Sequence, residues 1–88
     1  QSTGVQYLIG QPERIRLRLN QAGRREFFQR SYMRPVPDGV NGDVYQFSCT
    51  PMQIRNYFLS FGANVEILEP ESLRQDFIDF YRQALESY

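Results

Sequence analysis

The clearest arrangement for ligand recognition in this chain is a row of arginines at every second position. Arg14, Arg16 and Arg18 alternate with apolar residues, and alternate side chains of a β-strand share one face of a sheet. Guanidinium groups bind carboxylates and phosphates through paired hydrogen bonds. Three interpretations of this arginine row stay open. It contacts a partner or neighbouring domain, it binds nucleic acid, or it pairs with Glu66 on an adjacent strand and otherwise meets solvent.

A second group of arginines follows on a predicted helix. Within it, Arg25 and Arg30 are candidates for binding a partner, another domain or phosphate together with the arginine row. The alternative is that this group forms a solvated helix face. Its members are Arg24, Arg25, Arg30 and Arg34.

Residues suited to catalysis and metal binding are scarce in this chain. It contains no histidine and a single cysteine, Cys49, which excludes an internal disulfide and a metal site built from His and Cys ligands. The serines lack the histidine that a catalytic triad requires, and the acidic residues cluster near predicted helix starts. We therefore expect no catalytic residue, no cofactor and no metal.

The composition is that of one small folded domain. The chain has 88 residues, of which 41% are hydrophobic and 15% aromatic, with ten arginines, no lysine and no net charge. Residues 1–62 hold eight arginines and four acids, and residues 63–88 hold two arginines and six acids, so the two parts carry +4 and −4. These charges attract within one fold or across a dimer, or they form an ordinary mixed surface. The sequence shows no membrane span and no signal peptide, and we expect a cytoplasmic location.

Alternating polarity places the arginine row on a strand. Residues 13–19 alternate strictly, and Ile15, Leu17 and Leu19 are predicted to face the core. The other elements that we expect are a helix over residues 21–32 capped by Asn20, a short edge strand within 33–37, a turn at 38–43, a strand at 44–49, a helix after Thr50, a strand ending at Pro70 and a helix over 71–88.

The strand over residues 44–49 allows two registers. One register buries Tyr45, Phe47 and Cys49, whereas the other buries the residues between them. We favour the first because polar side chains are costly to bury. Tyr45 and Phe47 are also similar to the base-stacking aromatics of RNA-recognition domains, but the rest of that motif is missing, so we expect them in the core.

Three residues are expected to mark the ends of elements. Thr50 suits the N-cap of a helix, Gly62 suits a left-handed helix stop, and Pro70 ends a strand and starts the last helix. The resulting order, β-α-β-β-α-β and a final helix, predicts an α+β fold of the ferredoxin-like type with an additional C-terminal helix. This domain takes residues 13–88, and residues 1–12 are a linker or an extra strand from a preceding domain.

The stretch NYFLSFGANVEILEP at residues 56–70 carries a family resemblance. It resembles the C-terminal extension, called WCX, of bacterial WYL-domain transcription regulators, in which a helix ending in Leu-Ser-Phe/Trp-Gly precedes a strand reading Val-Glu-Val-Leu-Glu-Pro. The Ser-Leu-Arg sequence at 72–74 is similar to the helix that follows, and residues 10–18 are similar to the first strand. The Trp-Tyr-Leu motif that defines the WYL domain itself is absent.

The resemblance implies a regulatory and dimerisation module without enzymatic activity. Its partners would be the WYL domain and the winged-helix DNA-binding domain of the same chain, and a second copy in a homodimer. The WYL domain would hold a nucleic-acid or nucleotide-like effector. Two alternatives stay open: an ACT-like small-molecule regulatory domain of a metabolic enzyme, and an acylphosphatase-like hydrolase, whose phosphate loop has only a faint counterpart at residues 20–24.

Overall fold

The structure is a computed structural model that describes residues 11–88 of the chain. The linker or extra strand expected over residues 1–12 lies almost wholly outside the described residues, and Gln11 and Pro12 belong to no helix or strand. In chain order the elements are β1 (Glu13–Leu19), α1 (Gln21–Gln29), β2 (Gly39–Asn41), β3 (Val44–Cys49), α2 (Pro51–Phe58), a 3₁₀ segment (Leu59–Asn64), β4 (Val65–Glu69) and α3 (Glu71–Glu86).

The four strands form one antiparallel sheet in the order β2-β3-β1-β4. Strand β1 is central. It pairs with β3, where Ile15 lies opposite Phe47, and with β4, where Leu19 lies opposite Val65. The strands β2 and β4 are the two edges of the sheet. The combination of an antiparallel sheet with three helices confirms the expected α+β class.

The apolar face of the sheet forms one side of the hydrophobic core, and the helices cover it. Ile15, Leu17 and Leu19 are fully buried, as the alternation predicted. Tyr45 and Phe47 are buried beside them and Cys49 is half-buried, which confirms the favoured register of β3. Neighbouring aromatic rings in this core have centroids 4.8–6.2 Å apart and mostly pack edge to face. These rings belong to Phe27, Phe47, Tyr57, Phe58 and Phe61.

Helix α1 ends at Gln29, so the prediction of a helix over residues 21–32 is too long. The carbonyl groups at its end are bonded by side chains from elsewhere in the chain. The Arg34 guanidinium donates to two carbonyls of the last turn at 2.9 and 3.1 Å, and the Tyr57 hydroxyl donates to the carbonyl of Arg30. Because these donors satisfy the terminal carbonyls, no further helical turn is needed.

The edge strand predicted within residues 33–37 is wrong. The second strand lies at Gly39–Asn41, inside the predicted turn, and the two residues Gly42 and Asp43 connect it to β3. The two prolines of the earlier segment have no N–H for a strand ladder, and Pro35 is fully buried. This segment therefore follows the edge of the core without joining the sheet.

Of the residues expected at element ends, Thr50 and Pro70 lie where a strand meets a helix, and Gly62 lies inside the 3₁₀ segment. Thr50 is the N-cap of α2, and its hydroxyl accepts a 3.1 Å hydrogen bond from the Gln53 N–H. Pro70 separates β4 from α3. Gly62 has φ 62° and ψ −129°, so it has the positive φ of a glycine but not the left-handed helical conformation that we predicted. These angles match the first central position of a type II′ turn.

Helix α3 is longer than β4, the strand on which it packs. Leu73 and Phe77 are buried, and Tyr81 packs at the margin of the core. The apolar stripe of this helix ends there, because Ala84 and Tyr88 are exposed. A helix of 16 residues is about 24 Å long, whereas the five residues of β4 span about 17 Å.

Candidate interaction surface on the open face of the sheet

The sheet face opposite the helices, here named the open face, carries the arginine row. The residues that alternate with these arginines are buried on the helix side, so the guanidinium groups lie on the other side. Strand pairing places side chains of β3 and β4 next to them, and β2 lies beyond β3. The open face consists of Arg14, Arg16, Arg18, Gly39, Asn41, Val44, Gln46, Ser48, Glu66 and Glu69, all exposed or half-buried.

Two of the three arginines hold carboxylates of the edge strand β4. Arg16 Nη1 lies 3.2 Å from Glu69 Oε2, and Arg18 Nη1 lies 3.1 Å from Glu66 Oε1. Arg18 Nε also lies 3.7 Å from Asp43. The paired side chains of the first two contacts are 41–51% exposed, so each pair stabilises the fold by at most about 1 kcal/mol. The pairing of the row with Glu66, which was one of the three open interpretations, therefore occurs at Arg18.

A β-bulge in β4 brings Glu69 to the open face. Strict alternation from the buried Ile67 would place Leu68 on the open face and turn Glu69 towards the core. The pairing register shifts instead between Arg16 and Leu17, so that Arg16 lies opposite Glu69 and Leu17 lies opposite Ile67. Leu68 is the extra residue of the bulge. The sequence pattern does not reveal Glu69 on this face, because side-chain alternation does not show an inserted residue.

Arg14 lies beside a shallow hollow at the other end of the row. It is exposed and forms no ion pair among the described residues. The hollow has a volume of about 350 Å³, and its lining includes Arg14, Glu69 and the amide side chains of Asn41 and Gln46. Amides offer both hydrogen-bond donors and acceptors. This corner therefore combines one guanidinium available to a ligand with two neutral amides, beside the Arg16–Glu69 ion pair.

Carboxylates surround the arginine row on several sides. Asp38 accepts hydrogen bonds from the Ser48 hydroxyl at 2.5 Å and from the Gln46 amide at 3.4 Å, and Ser48 lies opposite Arg14 in the sheet. The sequence pattern predicts Asp38 only as a turn residue. With Arg74, whose guanidinium lies 3.6 Å from Glu66, four guanidinium groups and four carboxylates balance on and around the open face. The carboxylates belong to Asp38, Asp43, Glu66 and Glu69.

The second arginine group lies in the helix layer, away from the arginine row. The Arg30 guanidinium stacks on the Tyr57 ring, 4.9 Å from its centroid, and donates to the Ser60 hydroxyl at 2.6 Å. Arg30 therefore ties the end of α1 to α2 and the segment that follows it. Arg25 is exposed on α1 and has no ion-pair partner within the described part of the chain. The structure brings neither residue to the arginine row.

The chemistry of the open face is hydrogen bonding and ion pairing. Burial, and to a lesser extent the nearby Asp38, raises the pKa of the Cys49 thiol, which keeps the thiol protonated and weakly nucleophilic. Residues 11–88 contain no group of three or more Cys, Asp and Glu side chains that could hold a metal ion. Among the helices of the same residues, none is long and apolar enough to cross a membrane.

Comparisons with known proteins identify a family and a fold that is shared with solved structures. A protein-family profile, the WCX domain, matches residues 11–85, and no curated protein matches the chain. A solved structure described as the crystal structure of a CRISPR Cas-related protein is similar, with a TM-score of 0.78 and 23% identity. That alignment covers 89% of this chain and 21% of the other, so the chain spans about a fifth of that protein. At this identity the likeness shows the fold alone.

Proposed function

The chain belongs to the WCX domain family, and on this basis we propose that it is a regulatory and dimerisation module of a WYL-domain transcription regulator. The WCX domain is a C-terminal domain of WYL regulators, and the family is regulatory. The match over residues 11–85 is the observation that carries the proposal. It gives no support to an ACT-like domain or to an acylphosphatase-like hydrolase, and we propose no catalytic role.

We also propose that the fold is of the ferredoxin-like type. The element order β1-α1-β2-β3-α2-β4 is the split βαβ arrangement of that fold. The sheet order, with β1 and β3 inside and β2 and β4 at the edges, supports this assignment. Helix α3 is then the additional C-terminal helix, and the bare sheet face is a natural place for a neighbouring domain to dock.

The proposed mechanism is a change in docking. In the full-length regulator, the open face packs on the WYL domain or on a second copy, and an effector held by the WYL domain changes this packing. The DNA-binding domains then change their relative position and hence their affinity for DNA. The effector would be a nucleic-acid or nucleotide-like molecule in the cytoplasm. The exposed arginine row and the hollow at Arg14 support this role for the open face.

The test measures DNA affinity in the full-length regulator. The probe is the DNA fragment that the wild-type regulator occupies most strongly in chromatin immunoprecipitation. The double variant Arg14→Ala/Arg16→Ala is expected to change the dissociation constant for this fragment by at least about fivefold, the lower end of a typical allosteric coupling. Far-UV circular dichroism and thermal unfolding verify that the variant remains folded.

The matched control is Arg55→Ala/Arg82→Ala, which removes two guanidinium groups from helices α2 and α3. It loses the same charge, so any general electrostatic effect on DNA binding appears in both double variants. We expect the control to stay near the wild-type affinity. A wild-type affinity in the Arg14→Ala/Arg16→Ala variant would contradict the proposal.

A further inference from the structure

We infer that the open face docks a carboxylate-bearing polypeptide surface of the same regulator rather than the phosphates of a nucleic acid. The inference rests on the proposed function and names the class of partner that the arginine row contacts. It follows from three features of the open face: its balanced charge, the spacing of its ion pairs and the absence of aromatic side chains on it.

The charge balance does not suit a polyanion. Arg16 and Arg18 already hold Glu69 and Glu66 at 3.2 and 3.1 Å. Surfaces that bind nucleic acid non-specifically carry a net positive stripe, because each neutralised phosphate releases condensed counterions. Here a phosphate next to either arginine would also meet a carboxylate, and like charges at such short distance repel each other.

The spacing along β1 leaves one arginine for a ligand. Alternate residues of a strand are about 6.6–6.8 Å apart, so a phosphate bound at Arg14 would place the following phosphates of a strand laid along the row near the two ion pairs. A nucleic acid carries a charge at every nucleotide, whereas a protein surface can present one carboxylate among neutral groups. The single available guanidinium at Arg14 therefore complements a protein surface with one carboxylate better than it complements a row of phosphates.

The lining of the hollow also suits a polypeptide. Asn41 and Gln46 present amide groups next to Arg14, and amides pair well with backbone and side-chain groups of protein. Binding of single-stranded nucleic acid relies on aromatic side chains that stack with bases. The open face as described has none, because Tyr45 and Phe47 are buried under the helices. Arg14 therefore forms the ion pair, and the amides align the partner backbone.

The first experiment identifies the partner by photo-crosslinking. The photoreactive residue p-benzoylphenylalanine replaces Asn41 in the purified full-length regulator, which leaves Arg14 intact, and a matched variant carries it at the exposed Gln29 of α1. Irradiation is done with a labelled single-stranded oligodeoxynucleotide of mixed sequence present. We expect position 41 to crosslink to a polypeptide segment outside these 88 residues that contains Asp or Glu, and Arg14→Ala to reduce this product.

The outcome that overturns the inference is label from the oligonucleotide at position 41, or no polypeptide product there. A product at position 41 that persists unchanged in Arg14→Ala also contradicts it, since the contact would not depend on the guanidinium. Position 29 reports crosslinking that is unrelated to the open face. Its products are subtracted before the comparison.

The second experiment measures affinity for the same oligonucleotide as a function of salt. Arg14→Ala is expected to leave both the affinity and its salt dependence unchanged, whereas Glu66→Gln/Glu69→Gln is expected to raise the affinity, because it removes the carboxylates that repel phosphate. If Arg14→Ala reduces the salt slope by about one, Arg14 contacts a phosphate and the inference is wrong. The two proposals fail separately: an unaffected DNA affinity contradicts the regulatory role, whereas a nucleic-acid crosslink contradicts only the class of partner.

Discussion

The carboxylate of Glu69 lies 3.2 Å from the guanidinium of Arg16 although strict strand alternation would turn Glu69 towards the core. The bulge at Leu68 makes this contact by shifting the register of β4 against β1. The ion pair therefore depends on a backbone irregularity. Its main effect is on which ligands the open face can bind, and its effect on the stability of the fold is small.

The first prediction is that this ion pair adds little to stability. We expect Glu69→Gln to lower the unfolding free energy of the 88-residue chain by less than about 1 kcal/mol, because both side chains are about half exposed and water screens the pair. Phe58→Ala, in the core, should lower it by about 3–5 kcal/mol. Urea unfolding measures both variants, and similar losses would contradict this account of the pair.

The second prediction concerns Gly23, which lies inside α1. Alanine normally favours a helix over glycine by about 1 kcal/mol, but a Cβ at position 23 would lie too close to the carbonyl oxygen of Asn64. We therefore expect Gly23→Ala to destabilise the chain by about 1–3 kcal/mol through overpacking. The exposed position 25 of the same helix is the control, since Arg25→Ala should stay within about 0.5 kcal/mol. A stabilised Gly23→Ala in urea unfolding would refute this packing argument.

The third prediction concerns the backbone at Gly62. Its φ of 62° and ψ of −129° are unfavourable for an L-residue, while a Cβ there would meet no atom within 4 Å. We expect Gly62→Ala to destabilise the chain by about 1–3 kcal/mol from the backbone alone. Replacement of Gly62 by D-alanine in a synthetic chain, which suits a positive φ, should keep the wild-type stability. Thermal unfolding compares the two, and equal losses would contradict a purely conformational cause.

The fourth prediction is a loss of stability at high pH. Burial raises the pKa of Tyr57, although the guanidinium groups of Arg30 and Arg34 oppose the shift. Because the folded pKa exceeds the unfolded value of about 10, the stabilisation is complete below pH 10 and is lost as the pH rises through the folded pKa. Burial likewise raises the pKa of Tyr81, so Tyr81 contributes in the same alkaline range.

The matched variants for this prediction are Tyr57→Phe and Tyr32→Phe. Tyr57→Phe should lose about 0.5–1.5 kcal/mol at neutral pH, because its hydroxyl no longer donates to the Arg30 carbonyl, and it should lose less additional stability than the wild type above pH 10. Tyr32 is 82% exposed, and Tyr32→Phe should keep the wild-type profile. Urea unfolding at several pH values measures these losses. If Tyr57→Phe loses as much stability above pH 10 as the wild type does, the assignment of the loss to Tyr57 is wrong.

Local patterns of the sequence predict much of the open face. The alternation of β1 was sufficient to place the arginine row opposite the core, and the polarity of β3 selected the register that buries Tyr45 and Phe47. Both follow from the two-residue period of a strand, which involves only neighbours in the chain. The cap at Thr50 is equally local.

The features that sequence analysis missed depend on contacts between distant parts of the chain. The end of α1 is set by donors from Arg34 and Tyr57, and Gly23 is required by the approach of Asn64. The bulge that pairs Glu69 with Arg16 is a backbone insertion that leaves the composition of β4 unremarkable. None of these is encoded in the periodicity of a single segment.

The most direct test of the account is the accessibility of the open face in the full-length regulator. Asn41→Cys, at the hollow, and Gln29→Cys, on α1, are both exposed positions in the domain, and each is placed in a background in which the other cysteines are replaced. We expect maleimide to label position 41 at least about tenfold more slowly than position 29, which corresponds to about 1.4 kcal/mol of docking free energy, and Arg14→Ala to remove most of this difference. Equal labelling rates at the two positions would contradict a docked open face.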